Sequence, residues 1–352
     1  MVVEQYLSAF HAGDAVGGYA RSLHRFLLAR GHDSRVLALT IDPVLRNEAA
    51  TPQERPPHPA ALRIYHFAIA SPISEVFLRL GGRRVLLYHN VTPPEFFAGI
   101  SEPLRRLTAT ARDELRGLVA ALGHFVADSE FNAGELRQLG AGDVFVFPVL
   151  LDEAAAAAAP SPSFAAPFRD GRRNLLFVGR VTPNKRIEDL IRMLALLKRQ
   201  ATVSARLIVA GNTAGLPRYH QALLALADRL GLDHRDLAFA GRLSDADLAA
   251  AYGLADVFVS LSEHEGFCLP LIESCRAGLP VVALAAGAVP ETLGGAGLLL
   301  RRRDLPAAAA LVERVLADEG LRGRLRQAAQ RRFAEYRRQA DPQRLLAYLE
   351  AL

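Results

Sequence analysis

Two glutamates, Glu265 and Glu273, stand eight positions apart in the stretch SEHEGFCLPLIE. A strand-like run, DVFVSLS, precedes them, and Pro270 falls where a helix would begin, since proline is favoured at the first helical position. The spacing predicts Glu265 on a loop and Glu273 in the first turn of a short helix, PLIESCRA, stopped by Gly278 and Pro280. Gly266, Phe267, Cys268 and Leu269 then form the corner between strand and helix. Backbone N–H groups at such a corner lack intrahelical partners and make an anion-binding end at the carboxyl edge of a sheet. Gly266 lets a ligand approach the backbone closely. Carboxylates beside an anion site fit a ligand that has both phosphates and hydroxyls, because a carboxylate accepts strongly from vicinal hydroxyls. A nucleotide sugar offers ribose hydroxyls, a diphosphate and sugar hydroxyls in that order. The plainer alternative is that Glu273 complements the helix dipole and Glu265 is solvated.

The elements that must hold this corner alternate between strand and helix. VVEQYLSAF reads as a strand, GDAVGG as a turn, and YARSLHRFLLARG as a helix closed by Gly31. Strands SRVLALT, LRIYHFA, RRVLLYHN and HFVADS follow, with a long helix over SEPLRRLTATARDELRGLVAAL and a second helix capped by Ser129. Residues 153–172 are Ala-, Pro- and Ser-rich and mark an interdomain linker. The rhythm then restarts with NLLFVG, IEDLIRMLALLKRQ, ARLIVAG and LAFAG, and SDAD at 244–247 resembles a capping box. The tail from Leu305 reads as three helices. The expected architecture is α/β, with two Rossmann-like doubly wound domains facing a cleft. They span residues 1–152 and 173–341, and a last helix over about 342–352 could pack back on the first domain.

Composition narrows the classes. The 352 residues suffice for two domains. No run of roughly 18 apolar residues suggests a membrane span, and the N-terminus lacks a signal-peptide pattern. Cys268 and Cys275 cannot form a framework and suit a reduced cytoplasm. The net charge is +5, with arginine pairs at 83–84, 172–173, 331–332 and 337–338 and a triplet at 301–303. These read as solvated faces, or as attraction to phosphates or an anionic membrane surface. Trp is absent and no base-reading motif appears, so no nucleic acid is expected as a partner.

The stretch FAGRLSDADLAAAYGLADVFVSLSEHEGFCLPLIESCRAGLPVVA, with its E-x7-E element, resembles the family 4 retaining glycosyltransferases, which have the GT-B fold. LLFVGRVTPNKRIEDLI, AGN at 210–212 and GAVPETLGGAGLLL extend the likeness. YHNVTPPEFF, VADSEFNAGELRQLG and GDAVGG resemble a bacterial branch that builds surface polysaccharides.

The resemblance implies transfer of a sugar from a nucleotide-diphosphate sugar to a glycan, lipid-linked or small-molecule hydroxyl, with retention and without a cofactor or metal. It gives Arg180 and Lys185 the donor diphosphate, Glu273 the ribose, and Glu265 the donor sugar's hydroxyls. Gly266, Phe267, Cys268 and Leu269 become the backbone that receives sugar and phosphate oxygens. Fixed cations suit the diphosphate, since charge grows on it as the sugar–phosphate bond breaks. His89 matches a histidine beside the donor sugar, although a strand-end histidine could equally be an ordinary hydrogen-bonded residue. Gly17 and Gly18 match a glycine-rich turn near the diphosphate or acceptor. Asp14 would bind an acceptor hydroxyl or simply form the turn. The implied location is cytoplasmic, with a peripheral contact at the inner membrane where the acceptor is lipid-linked. Two other classes compete: a nucleotide-dependent oxidoreductase, whose G-x-G-x-x-G spacing the GDAVGG turn lacks, and a non-catalytic glycan- or nucleotide-binding relative.

Overall fold

The Val- and Leu-rich runs become strands of two parallel sheets in a computed structural model that describes residues 1–200 and 204–352. Parallel strands are covered on both faces, which is why their sequences are nearly continuous apolar runs. Met1–Ala98, Glu102–Glu153 and Arg337–Leu352 make up unit 1; Gly99–Ser101 and Ala154–Tyr336 make up unit 2.

Unit 1 begins with β1 (Val2–Phe10), α1 (Ala15–Ala29), β2 (Asp33–Ile41), β3 (Leu62–Phe67) and α2 (Ile73–Arg79). It continues with β4 (Arg84–Tyr88), α3 (Glu102–Ala121), β5 (His124–Ala127), α4 (Glu130–Gln138) and β6 (Val144–Val146). Its sheet order is β2-β1-β3-β4-β5-β6. Tyr6, Tyr65, Phe67, Phe77 and Tyr88 fill one face of that sheet, and Leu7, Phe10, Ala20 and Val36 fill the other.

α5 (Glu153–Ala156) and α6 (Pro162–Ala165) are single turns in the Ala- and Pro-rich stretch. Unit 2 then runs through β7 (Arg173–Val178), α7 (Ile187–Gln200), β8 (Ala205–Ala210), α8 (Pro217–Arg229), β9 (Leu237–Gly241) and α9 (Asp245–Leu254). β10 (Val257–Ser260), α10 (Leu269–Arg276), β11 (Val281–Leu284), α11 (Val289–Leu293) and β12 (Leu298–Leu300) follow. The tail is helical in three pieces, α12 (Leu305–Ala317), α13 (Glu319–Gln339) and α14 (Pro342–Ala351). The sheet order is β12-β11-β10-β7-β8-β9. Read from β9, this is the doubly wound order in which the first strand, β7, lies beside the fourth, β10.

α7 shows how the pattern dictates packing. Ile187, Leu190, Ile191, Leu194 and Leu197 recur at helical spacing, and all five are fully buried. Each such side chain contributes about 2 kcal/mol when taken from water. α6 docks on α9, where the Ser161 N–H donates to the Ala246 carbonyl at 3.0 Å. α14 groups with unit 1, and its Tyr348 stacks on Phe145 of β6 with ring centroids 4.5 Å apart. Among the described residues no helix is long and apolar enough to cross a membrane.

Two local expectations need correction. The GDAVGG stretch is not a turn throughout: Asp14 caps α1 by accepting from the Gly17 N–H at 3.1 Å, and Gly17 and Gly18 lie inside the first turn of the helix. A capping aspartate starts a helix even ahead of two glycines, since it satisfies a donor that would otherwise be orphaned. α10 begins at Leu269, one residue before Pro270, because Cys268 takes a left-handed conformation (φ 68°) as its N-cap. Glu273 therefore lies beyond the first turn, where the helix-dipole explanation for it weakens.

Candidate functional site

β7 and β10 are neighbours, so the loops leaving their carboxyl ends are brought together. That position, where the winding of the sheet reverses, is where doubly wound folds bind ligands. The loop after β7 is held by close backbone contact. The Gly179 N–H donates to the Ala210 carbonyl at 2.9 Å, and the Val181 N–H to the Asn212 carbonyl at 3.2 Å. A Cβ on Gly211 would lie 1.8 Å from the Gly179 carbonyl oxygen, so only glycine fits there. Pro183–Lys185 form one tight helical turn, and Arg186 enters the left-handed region (φ 53°) before α7 starts.

That turn is stitched to the loop after β10. Buried Asn184 accepts the Glu263 N–H through its carbonyl at 2.9 Å, and its side-chain amide donates to the His264 carbonyl at 3.3 Å. Lys185 Nζ donates to both carboxylate oxygens of Glu265, each at 2.7 Å. The Glu265 carbonyl accepts from the Ala288 N–H at 2.9 Å. A Cβ on Gly287, whose φ is 54°, would sit 2.3 Å from that carbonyl. Lys185 and Glu265 are thus fixed by backbone on both sides before any ligand arrives.

Arg180 stands at the start of the same loop. It is exposed, and its guanidinium has no hydrogen bond or ion pair among the described residues. Cys268 lies beside this pair, and burial together with the Glu265 carboxylate pushes its thiol well above the ordinary value. It is a packed thiol rather than a nucleophile. Phe267 is buried; its carbonyl accepts from the Thr292 hydroxyl at 2.6 Å and its ring lies 6.4 Å from that of Tyr336.

Glu273, on α10, is oriented differently from Glu265. The Tyr252 hydroxyl of α9 donates to Glu273 Oε2 at 2.6 Å. Burial raises the Glu273 carboxyl above its ordinary value, and the Tyr252 bond partly offsets that. One carboxylate oxygen is tied, and Oε1 has no partner among the described residues.

In unit 1, His89 follows β4. Its side chain is 3% exposed, and both ring nitrogens are engaged: Nδ1 with Asp128 Oδ2 at 2.7 Å and Nε2 with His66 Nδ1 at 2.9 Å. Asp14 is the cap of α1, and a Cβ on Gly17 would meet the His11 carbonyl at 2.8 Å, while Gly18 has open space around its Cα.

The structure therefore joins Lys185, Glu265 and Cys268 directly, sets Arg180 on the same loop, and ties Glu273 to Tyr252. Asn184, Tyr252, Gly287, His66 and Asp128 escaped sequence reasoning. For Asn184 a weak signal existed, a turn-type residue directly before the basic position in TPNK; for the others the partner depends on strand order.

Residues 162–332 match the family model described as glycosyl transferases group 1. The serotype-specific mannosyltransferase WbdA of Escherichia coli is 30% identical over 162 residues, covering 46% of this chain and 20% of that protein. The D-inositol 3-phosphate glycosyltransferase of Segniliparus rotundus is 32% identical over 208 residues, covering 57% of this chain and 44% of that protein. The chain thus spans less than half the length of these relatives. Among solved structures, WaaG, a glycosyltransferase involved in lipopolysaccharide biosynthesis, aligns over 99% of both chains with a TM-score of 0.73 and 15% identity. Anabaena Alr3699/HepE in complex with UDP and glucose aligns over 99% of this chain and 100% of that one, with a TM-score of 0.72 and 17% identity. These are likenesses of fold, and the fold is GT-B.

Proposed function

We propose that this chain, whose residues 162–332 match the family model of the group 1 glycosyl transferases, moves a hexosyl group from a nucleotide-diphosphate sugar to a hydroxyl acceptor, with retention at the anomeric carbon. The observation that carries the proposal is the corner at β7 and β10, where Lys185 is held against Glu265 beside the exposed Arg180.

An ammonium has three N–H donors. Lys185 can keep Glu265 and still give a hydrogen to a phosphate oxygen. Arg180 supplies a second positive charge without first breaking an ion pair. As the sugar–phosphate bond lengthens, negative charge collects on the leaving diphosphate, and these preplaced cations stabilise it more than they stabilise the bound donor. With the backbone amides of Gly266, Phe267, Cys268 and Leu269 they neutralise the diphosphate, so no metal is assigned a role. Glu273 accepts from the ribose through its untied Oε1. Glu265, held in place by Lys185, accepts from the donor sugar's hydroxyls.

For retention, the front-face route fits these groups: the leaving phosphate takes the acceptor's proton while the acceptor oxygen bonds to the anomeric carbon on the side the phosphate leaves. His89, Gly17, Gly18 and Asp14 are assigned to the sugar and acceptor side. HepE has been crystallised with UDP and glucose, and WbdA is a mannosyltransferase; by analogy UDP- and GDP-sugars are the donors to try first. A lipid-linked acceptor at the inner membrane face of the cytoplasm suits the basic charge.

The test is nucleotide release from UDP-glucose, GDP-mannose and ADP-glucose, with thermal melting in the presence of UDP, GDP or ADP. At least one nucleotide should raise the melting temperature, and Lys185→Ala and Glu273→Ala should abolish the shift. No release and no shift with any of the three would end the proposal. Binding without release would favour a non-catalytic relative, and a shift with NAD alone would favour the oxidoreductase.

A further inference from the structure

Unit 1 holds a line of buried polar groups that crosses the sheet through adjacent strands. Gln5 on β1, His66 on β3, His89 after β4 and Asp128 after β5 are at most 3% exposed at the side chain. Their hydrogen positions follow from one fixed end. The Gln5 amide lies 3.1 Å from the Ala20 carbonyl, which can only accept, so Nε2 must face it. Gln5 Oε1 then faces His66 Nε2 at 2.9 Å, so His66 carries its hydrogen on Nε2. Burial, and then His89, hold the charged form of His66 well out of reach, so its Nδ1 is bare. That bare nitrogen lies 2.9 Å from His89 Nε2, which must therefore carry a hydrogen.

The last link, His89 Nδ1 to Asp128 Oδ2 at 2.7 Å, needs one more proton. Either Asp128 is an acid donating to a neutral imidazole, or His89 is a cation facing a carboxylate. Asp128 Oδ1 is enclosed and has no partner among the described residues. An unpartnered buried oxygen costs less as the carbonyl of a neutral acid than as half of a carboxylate. The groups facing the pair are His66 from β3 and the Tyr19 ring of α1, edge-on to both imidazoles at 5.6 and 5.4 Å. Among the described residues, no lysine or arginine acts on Asp128; burial pushes its carboxyl upward and His89 alone works against this.

We propose that Asp128 is a positioning residue: as a neutral acid it donates to His89 Nδ1 and completes a one-way run of hydrogen bonds from Asp128 through His89, His66 and Gln5 to the Ala20 carbonyl. The run fixes His89 as an uncharged ring with its only hydrogen on Nε2. Neither ring nitrogen is then free for a ligand, and the ring's carbon edge and the backbone at the end of β4 are what it contributes. A neutral ring also suits a reaction that builds positive charge on the sugar, which a buried cation would oppose. This bearing on transfer rests on the reading of His89 as a donor-side residue under the proposed function.

The test has a part that needs no donor. In 15N-histidine spectra of the full chain near neutral pH, His89 should show a hydrogen on Nε2 and a bare Nδ1. The infrared spectrum should contain a buried carboxylic-acid carbonyl band that disappears in Asp128→Asn. Two protonated nitrogens on His89, or no band lost, would overturn the neutral acid whether or not the protein proves to be a transferase. In the activity arm, Asp128→Ala should lower turnover by about tenfold or more with little change in KM. Asp128→Asn, whose amide can donate to Nδ1, should recover turnover to within roughly threefold of the parent. Equal losses in both variants would overturn the positioning role. Absence of nucleotide release from the parent protein would count against the transferase reading, and the spectra would still decide the state of Asp128.

Discussion

The two units place polar groups at the same topological position and use them in opposite ways. In unit 2 the sheet reverses between β7 and β10, and the loops above that point carry Lys185, Glu265 and Arg180. In unit 1 it reverses between β1 and β3, and there Gln5 is hydrogen-bonded to His66 inside the sheet. One reversal presents formal charge at the sheet's edge. The other encloses a polar chain whose donors and acceptors answer one another down to Asp128. Charge near solvent is suited to meet a charged ligand, whereas an enclosed polar chain is stable only when nearly every member is satisfied. Topology selects the place, and the side chains decide whether it is an open site or a brace.

The largest expected effect is at the charged reversal. Lys185→Ala should cut nucleotide release by about 100- to 1,000-fold, the scale for loss of a preorganised group that stabilises developing charge. A loss smaller than about tenfold would mean that the two reversals do not differ in the way described. Next comes the scaffold of that corner. Gly287→Ala drives a Cβ to within 2.3 Å of the Glu265 carbonyl at a φ of 54°. It should cost about 1–3 kcal/mol in chemical denaturation, and an unchanged midpoint would show that the loop after β10 yields easily.

Tyr252→Phe removes the hydroxyl that orients Glu273 and should raise the donor KM by about three- to tenfold with kcat little changed. A fall in kcat instead would place Tyr252 nearer the reacting atoms. The smallest effect is on pH. Burial raises the Glu273 carboxyl above its ordinary 4.5. On the proposed ribose role, as pH falls through that raised value Glu273 takes up a proton before an ordinary glutamate would and accepts more weakly, so donor affinity should decline. Folding responds with the opposite sign: the contribution to stability is complete below 4.5 and is lost as pH rises through the folded value. Glu273→Gln should flatten both slopes, each less than roughly tenfold over the window. Slopes that survive the substitution would have to come from another group.

The strands and most helices are legible in the chain because apolar runs and periodic faces are local properties, as in α7 and β11. Ser129 and Ser244 act as the N-caps their positions suggest, accepting from the Asn132 and Asp247 N–H groups. Errors arose where a backbone choice overrode propensity. Asp14 starts a helix through two glycines, and the left-handed Cys268 sets Glu273 one residue deeper in its helix than the proline implies. The pairing of Lys185 with Glu265 joins residues 80 positions apart and was foreshadowed by motif alone. The run from Gln5 to Asp128 was not readable at all. Each link joins neighbouring strands, and a shift of one residue in any register would turn the side chain to the other face.

The stacking of Tyr348 on Phe145 has a consequence for how the molecule is made. Phe145 leaves the ribosome long before Tyr348, with Ala154–Tyr336, nearly the whole of unit 2, synthesised between them. The outer strand of the earlier sheet therefore waits, partly uncovered, while a whole second body folds, and its exposed aromatic is a hazard for association until the closing helix arrives. A chain shortened by that helix would carry its defect at β6, far upstream of the cut and on the other side of unit 2 in the sequence.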